Sequence, residues 1–175
     1  MFLRDFGAVF QNAYIVEDLE QAANHWAQKC GVGPFAAYSH HKYDSVIYRG
    51  EETGMDISLA FAYAGDFQVE LVQVHDTEAP SAFADALKKN GYGLHHVGLL
   101  SENFEKDIAA FESRGLSLLQ RNIDVAGVEA AFIDSDNHPG GVIELLRATP
   151  ELTENLNFLK AVAEQWDGKD SLMYL

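Results

Sequence analysis

Residues 93–100 read GLHHVGLL, and two adjacent histidines in a run of strand character are the first sign of chemistry in this chain. Successive side chains on a strand point to opposite faces, so only one of His95 and His96 is expected to aim at a given site. Two carboxylates stand in comparable surroundings. FQVELVQV (67–74) and GGVIELLRA (140–148) are apolar runs centred on Glu-Leu. Glu70 shares a strand face with Gln68 and Val72, and Glu144 shares one with Val142 and Leu146. A buried, unpaired charge is very costly. Finding one twice, in like positions, points to a single shared partner, and a divalent cation is the economical choice.

The elements that must carry these groups form an internal repeat. FQNAYIVEDLEQAANHWAQKCG (10–31) aligns with HHVGLLSENFEKDIAAFESRG (95–115), placing Gln11 on His96, Ala13 on Gly98, Asp18 on Asn103 and Trp26 on Phe111. Each copy is a short strand, an Asp or Asn suited to an N-cap, an amphipathic helix and a closing glycine. Gln21 sits where it would complete a capping box with Asp18. Strand-like pieces then follow: SVIYRG (45–50) and MDISLAFAY (55–63) in the first half, LSLLQR (116–121) and EAAFID (129–134) in the second. Each half therefore reads βαβββ. Within the repeat His96 takes the place of Gln11, while His95 corresponds to Phe10. His96 is thus the expected site residue, and His95 is expected on the other face or packed against a helix.

This duplicated pattern resembles the vicinal oxygen chelate superfamily, which includes glyoxalase I, methylmalonyl-CoA epimerase, ring-cleaving dioxygenases and bleomycin-resistance proteins. The resemblance covers about residues 8–148. It implies an α+β fold, with two tandem βαβββ modules forming a curved, partly closed mixed sheet around a central cleft, helices outside and an extra C-terminal helix. Module 1 is expected at about 8–75, a connecting helix at 79–91, module 2 at 94–148 and the final helix at 152–166, all in one domain spanning 1–175. The resemblance also implies metal ligands at Gln11, Glu70, His96 and Glu144, with Glu144 or Glu70 as the proton-transferring base. The text VELVQVHDTEAPSAFADALKKNGYGLHHVGLL is most similar to methylmalonyl-CoA epimerase, whereas Glu70, in place of that enzyme's usual Gln, is more like glyoxalase I.

Three oxygen donors and one imidazole suit Zn, Co, Ni, Mn or Mg. Ala13 and Gly98, one same-face step from the ligands, leave room for the ion. The expected function is a metal-dependent isomerase, epimerase or lyase acting next to a carbonyl or thioester. The alternatives are a metal-free binding protein of the bleomycin-resistance type and an extradiol-type dioxygenase, which the Gln at position 11 disfavours. His40 and His41, in YSHHKYD, are expected in a loop, and His138, in SDNHPGG, in the turn before the Glu144 strand.

Composition narrows the partners. The chain has 175 residues, with 12 Lys and Arg against 27 Asp and Glu, for a net charge of −15. That field disfavours nucleic acid and anionic membranes. A coenzyme A thioester would need a local basic rim, for which Lys42, Arg49, Arg121 and Arg147 are the candidates. Strand alternation, however, sets Arg147 opposite Glu144. A single cysteine, Cys30, excludes a disulfide framework and fits a reducing, cytoplasmic setting. No apolar run nears the roughly 20 residues that span a bilayer. The expected partners are a small-molecule substrate and a second copy of the chain in a homodimer.

Overall fold

The computed structural model describes residues 6–134 and 141–175, so His138 lies outside the described residues. The first half opens with β1 (Val9–Val16) and α1 (Leu19–His25), whose N-cap Asp18 accepts a hydrogen bond from the Gln21 N–H at 2.8 Å. A π-helical turn, Trp26–Cys30, prolongs α1 until Gly31 ends it in the left-handed conformation. Then come β2 (Phe35–Tyr38), β3 (Tyr43–Tyr48), β4 (Glu51–Glu52), β5 (Ile57–Ala64) and β6 (Phe67–Val74). The connecting helix α2 (Ala82–Asn90) is capped by Ser81. The second half comprises β7 (Gly93–Ser101), α3 (Phe104–Glu112), β8 (Ser117–Asp124), β9 (Glu129–Asp134) and β10 (Val142–Arg147). At the expected cap position of α3, the Asn103 side chain makes no capping hydrogen bond. Thr149 caps α4 (Pro150–Glu164), with Pro150 in the first turn where its missing N–H costs nothing, and β11 (Leu172–Tyr174) ends the chain.

All eleven strands form one curved sheet in the order β11-β2-β5-β6-β1-β7-β10-β9-β8-β3-β4. The first strands of the two halves, β1 and β7, pair antiparallel at its centre, so the halves meet within one chain. Each is also parallel to the last strand of its own half, β1 to β6 and β7 to β10. In one respect the strand assignment from sequence is corrected. The piece at 45–50 does not join the first half's sheet, because β3 crosses over and pairs with β8 of the second half. Its place beside β5 is taken by β2, the short FAAY run, against which β11 adds a parallel edge.

Alternation along the strands sorts side chains onto the two sides of the sheet. On the convex side, α1 covers Val69, Leu71, Ala60 and Ala62, and α3 covers Leu99, Ala131, Ile133 and Leu145. On the concave side, α2 and α4 contribute Phe83 and Leu152 to a core with Ile15, Leu59, Val72, Phe132 and Leu146. The repeated helices thus back the sheet, while the two unrepeated ones sit over its hollow. Among the described residues no helix is long and apolar enough to cross a membrane.

Candidate metal centre

Strand register places the singled-out residues in two neighbouring rows on the concave face. In the first row Gln68 pairs with Gln11, Gln11 with Gly98 and Gly98 with Glu144. In the second, Glu70 pairs with Ala13, Ala13 with His96 and His96 with Val142. Each row sets a small residue between two long polar ones, so the polar ends lean together over the gap. A Cβ added at Gly98 would lie 2.3 Å from Gln11 Oε1, so only glycine lets that amide lie flat over β7. One carboxylate oxygen of Glu70 and one of Glu144 each approach His96 Nε2 to 3.3 Å. All three residues are buried, as is Gln11, whose Nε2 donates to Gln68 Oε1 at 2.7 Å.

The two histidines depart from simple alternation. Ala13 pairs with His96 but Tyr14 pairs with Leu94, so His95 is the extra residue of a β-bulge. The bulge turns His95 to the same side as His96, so of its two expected placements the one on the other face is corrected, while the one packed against a helix is met: its ring stacks on Phe83 of α2 with centroids 4.4 Å apart. The hydrogen bonds then fix the tautomers. Ala82 O can only accept, so His95 Nε2, 3.3 Å away, carries the proton. Burial, aided by the nearby charge of His96, holds the His95 pKa down to about 3, so the ring is neutral and its Nδ1 accepts. Its partner at 2.8 Å, His96 Nδ1, must then donate. That assignment leaves His96 Nε2 as the nitrogen turned toward the two carboxylates.

These groups fit a cation. His96 Nε2, Glu144 Oε2 and Gln11 Oε1 are buried without a hydrogen-bond partner, and buried polar atoms of that kind are rare. Donor atoms of Glu70, His96 and Glu144 lie within 4.8 Å of one another. A proton is the alternative occupant: burial opposes an imidazolium at His96, but the charges of Glu144 and Glu70 outweigh it and push the pKa up to about 10. Burial likewise raises the pKa of Glu70, with Glu144 adding to the effect and His96 opposing it.

A cavity of about 190 Å³ opens above the rows. Gln11, Gln68, Glu70 and Glu144 line its polar end, and Leu59, Phe61, Phe132 and Leu146 its walls. Sequence reading did not single out Gln68 or Tyr43. Tyr43 also lines the cavity, its pKa raised well above normal by burial and by the charges of Glu70 and Glu144. His41 lies at the rim, 3.2 Å from Asp124, whereas His40 turns outward to Asp56 at 2.7 Å and stacks on His75. The proposed basic rim does not form at this cavity. None of Lys42, Arg49, Arg121 and Arg147 lines it, and Arg121 and Arg147 instead grip Glu105 and Glu129 over Phe104.

A family model described as the glyoxalase/bleomycin resistance protein/dioxygenase superfamily matches residues 10–132. The chain belongs to this superfamily. Solved structures of like fold include a methylmalonyl-CoA epimerase of Mycobacterium tuberculosis, at 18% identity and TM-score 0.60 over 82% of this chain and 89% of that one. A Streptomyces coelicolor methylmalonyl-CoA epimerase in complex with 2-nitronate-propionyl-CoA gives 16% and 0.62 over 82% and 95%. A hypothetical protein of Bacillus halodurans gives 16% and 0.59 over 81% and 94%. At these identities the likeness shows the superfamily fold alone. No curated protein matches the chain.

Proposed function

We propose that the protein is a metal-dependent isomerase, epimerase or lyase of the glyoxalase superfamily that moves a proton at a carbon next to a carbonyl. The observation that carries this reading is the triad of Glu70, His96 and Glu144, buried together with His96 Nε2 and Glu144 Oε2 lacking hydrogen-bond partners. These three and Gln11 would hold a divalent cation, which when bound stabilises the negative charge of an enolate. Glu144, which lines the cavity, serves as the general base. Glu70 keeps its proton more readily than an exposed carboxylate and suits the return of a proton. Phe61, Phe132 and Leu146 exclude water from the polar end. The CoA-bound epimerases of like fold support proton transfer at carbon as the reaction class.

Elemental analysis of purified protein tests the metal, with about one divalent ion per chain expected. Glu144→Gln then separates the two duties of that side chain. An amide oxygen still ligates but accepts no proton at neutral pH. The variant should keep most of the metal and lose roughly 10²–10⁴ in solvent deuterium exchange at the substrate's α-carbon. Exchange at the parental rate would leave Glu144 a ligand only. The apolar walls also fit a second reading, a metal-free binding protein, which a chain that retains no ion after equilibrium dialysis would favour.

A further inference from the structure

The cavity's walls are mainly apolar, with Tyr38, Tyr43, Asn122 and Asn155 as uncharged polar groups among them, and they indicate what enters it. Its polar end is acidic or amide in character: Gln11, Gln68, Glu70 and Glu144. Beyond that end, side chains from β5, β9 and β10 are aliphatic or aromatic, and Phe83 of α2 adds a ring. The roof is α4, a helix outside the repeat, which turns Leu152, Asn155, Leu156 and Leu159 to the cavity. The rim carries His41 and another carboxylate, Asp124. Among the described residues no Lys or Arg lines the cavity at all.

Three of the cations are engaged elsewhere. Arg121 and Arg147 are tied to Glu105 and Glu129, and Lys160, near the end of α4, pairs with Asp66. A ligand with several phosphates would therefore find carboxylates and hydrocarbon, and no cation, in this cavity, under the field of a −15 chain; Arg49, Lys88 and Lys89 line a separate one. Like-charge juxtaposition of that sort rejects a partner strongly, and desolvating an anion without a counter-charge adds to the penalty. An uncharged body meets no such barrier. It gains by leaving water for the walls, while its carbonyl oxygen is the one polar group that needs a partner at the far end.

We propose that the substrate is an uncharged, mainly apolar carbonyl compound, such as an aryl or branched alkyl ketone, seated beneath α4, and that acyl-CoA thioesters are excluded. The proposal deepens the proton-transfer reading and rests on it for the orientation of the carbonyl, but the choice between uncharged and polyanionic ligands depends on the walls alone.

The test titrates acetophenone and propionyl-CoA separately into full-length protein, metal-loaded and metal-free, following amide chemical shifts by NMR. Acetophenone should saturate and shift residues of α4 and β9, whereas propionyl-CoA should give no saturable shift there at low or physiological salt. Leu156→Ala should weaken acetophenone about tenfold, the order expected for trimming apolar contact in a pocket. Phe158→Ala, at a half-exposed position on the same helix that does not line the cavity, should leave affinity unchanged. Saturable binding of propionyl-CoA at these residues, tighter than acetophenone, would overturn the proposal. So would acetophenone affinity indifferent to Leu156→Ala. If acetophenone binds equally with and without metal and elemental analysis finds no ion, the ligand class stands and the metal reading fails.

Discussion

At the scale of single residues, His95 illustrates how a group that touches no ligand can set the chemistry of its neighbour. It takes a hydrogen bond from His96 Nδ1 and passes one to Ala82 O, so the free nitrogen of His96 is chosen by a carbonyl two rings away. Outer partners of ligating histidines commonly contribute 10–100-fold in metal affinity. His95→Phe keeps a ring to stack on Phe83 but removes the acceptor, so metal affinity should fall by roughly that factor in a competition titration with a chromophoric chelator. Unchanged affinity would reduce His95 to a packing residue. The two rings also make opposite contributions to the pH dependence of the metal-free protein. Unfolded histidine titrates near 6.5. The folded His95, at about 3, refuses a proton that the unfolded chain accepts, so stability is lost as pH falls from about 6.5 toward 3. The folded His96, at about 10, keeps a proton that the unfolded chain releases, so stability is lost as pH rises from about 6.5 toward 10. Urea melts of metal-free His95→Phe should be flatter than the parent on the acid side alone.

At the scale of elements, the site depends on β7 passing close beneath Gln11. Gly98→Ala places a methyl group where Gln11 Oε1 lies, with Gln11 Cβ only 3.0 Å away, so the amide must swing off the row. The expected result is a folded protein with weaker metal binding and little change in helix content. An intact affinity would show that Gln11 is dispensable. The same strand marks where sequence reasoning works and where it stops. Glu70, Glu144, His96 and Gln11 were legible because the repeat equates them and alternation assigns their faces. The bulge at His95 was not, since it arises from a mismatch in register between β1 and β7 that neither strand shows by itself. β2 was missed because Phe35–Tyr38 is short and half alanine, a weak strand signal that becomes a strand once β5 and β11 flank it. The helices were clearer: the caps at Asp18 and Ser81 and Pro150 at the start of α4 bound them much where the pattern suggests.

At the scale of the whole molecule, acidic groups dominate the surface and also converge at the centre, where Glu70 and Glu144 sit on strands of different halves. Both halves must therefore be in register before those two carboxylates meet. The crossing of β3 makes the dependence mutual. Beyond its short hairpin with β4, it is held by residues 120–124 of β8, some 75 positions further along. Contacts of such separation slow folding, because the chain entropy of closing the loop is lost before the pairing repays it. A chain cut in the loop between β6 and α2 would yield two fragments, each lacking a strand or a partner that the other supplies. Neither should give a dispersed NMR spectrum alone, and mixing them at equal concentration should restore one. If the first fragment folded by itself, β3 would be an accessory flap. If neither does, an ancestral half-sized protein could have been stable only as a pair, and β3 is the trace of that exchange retained after the two copies were joined.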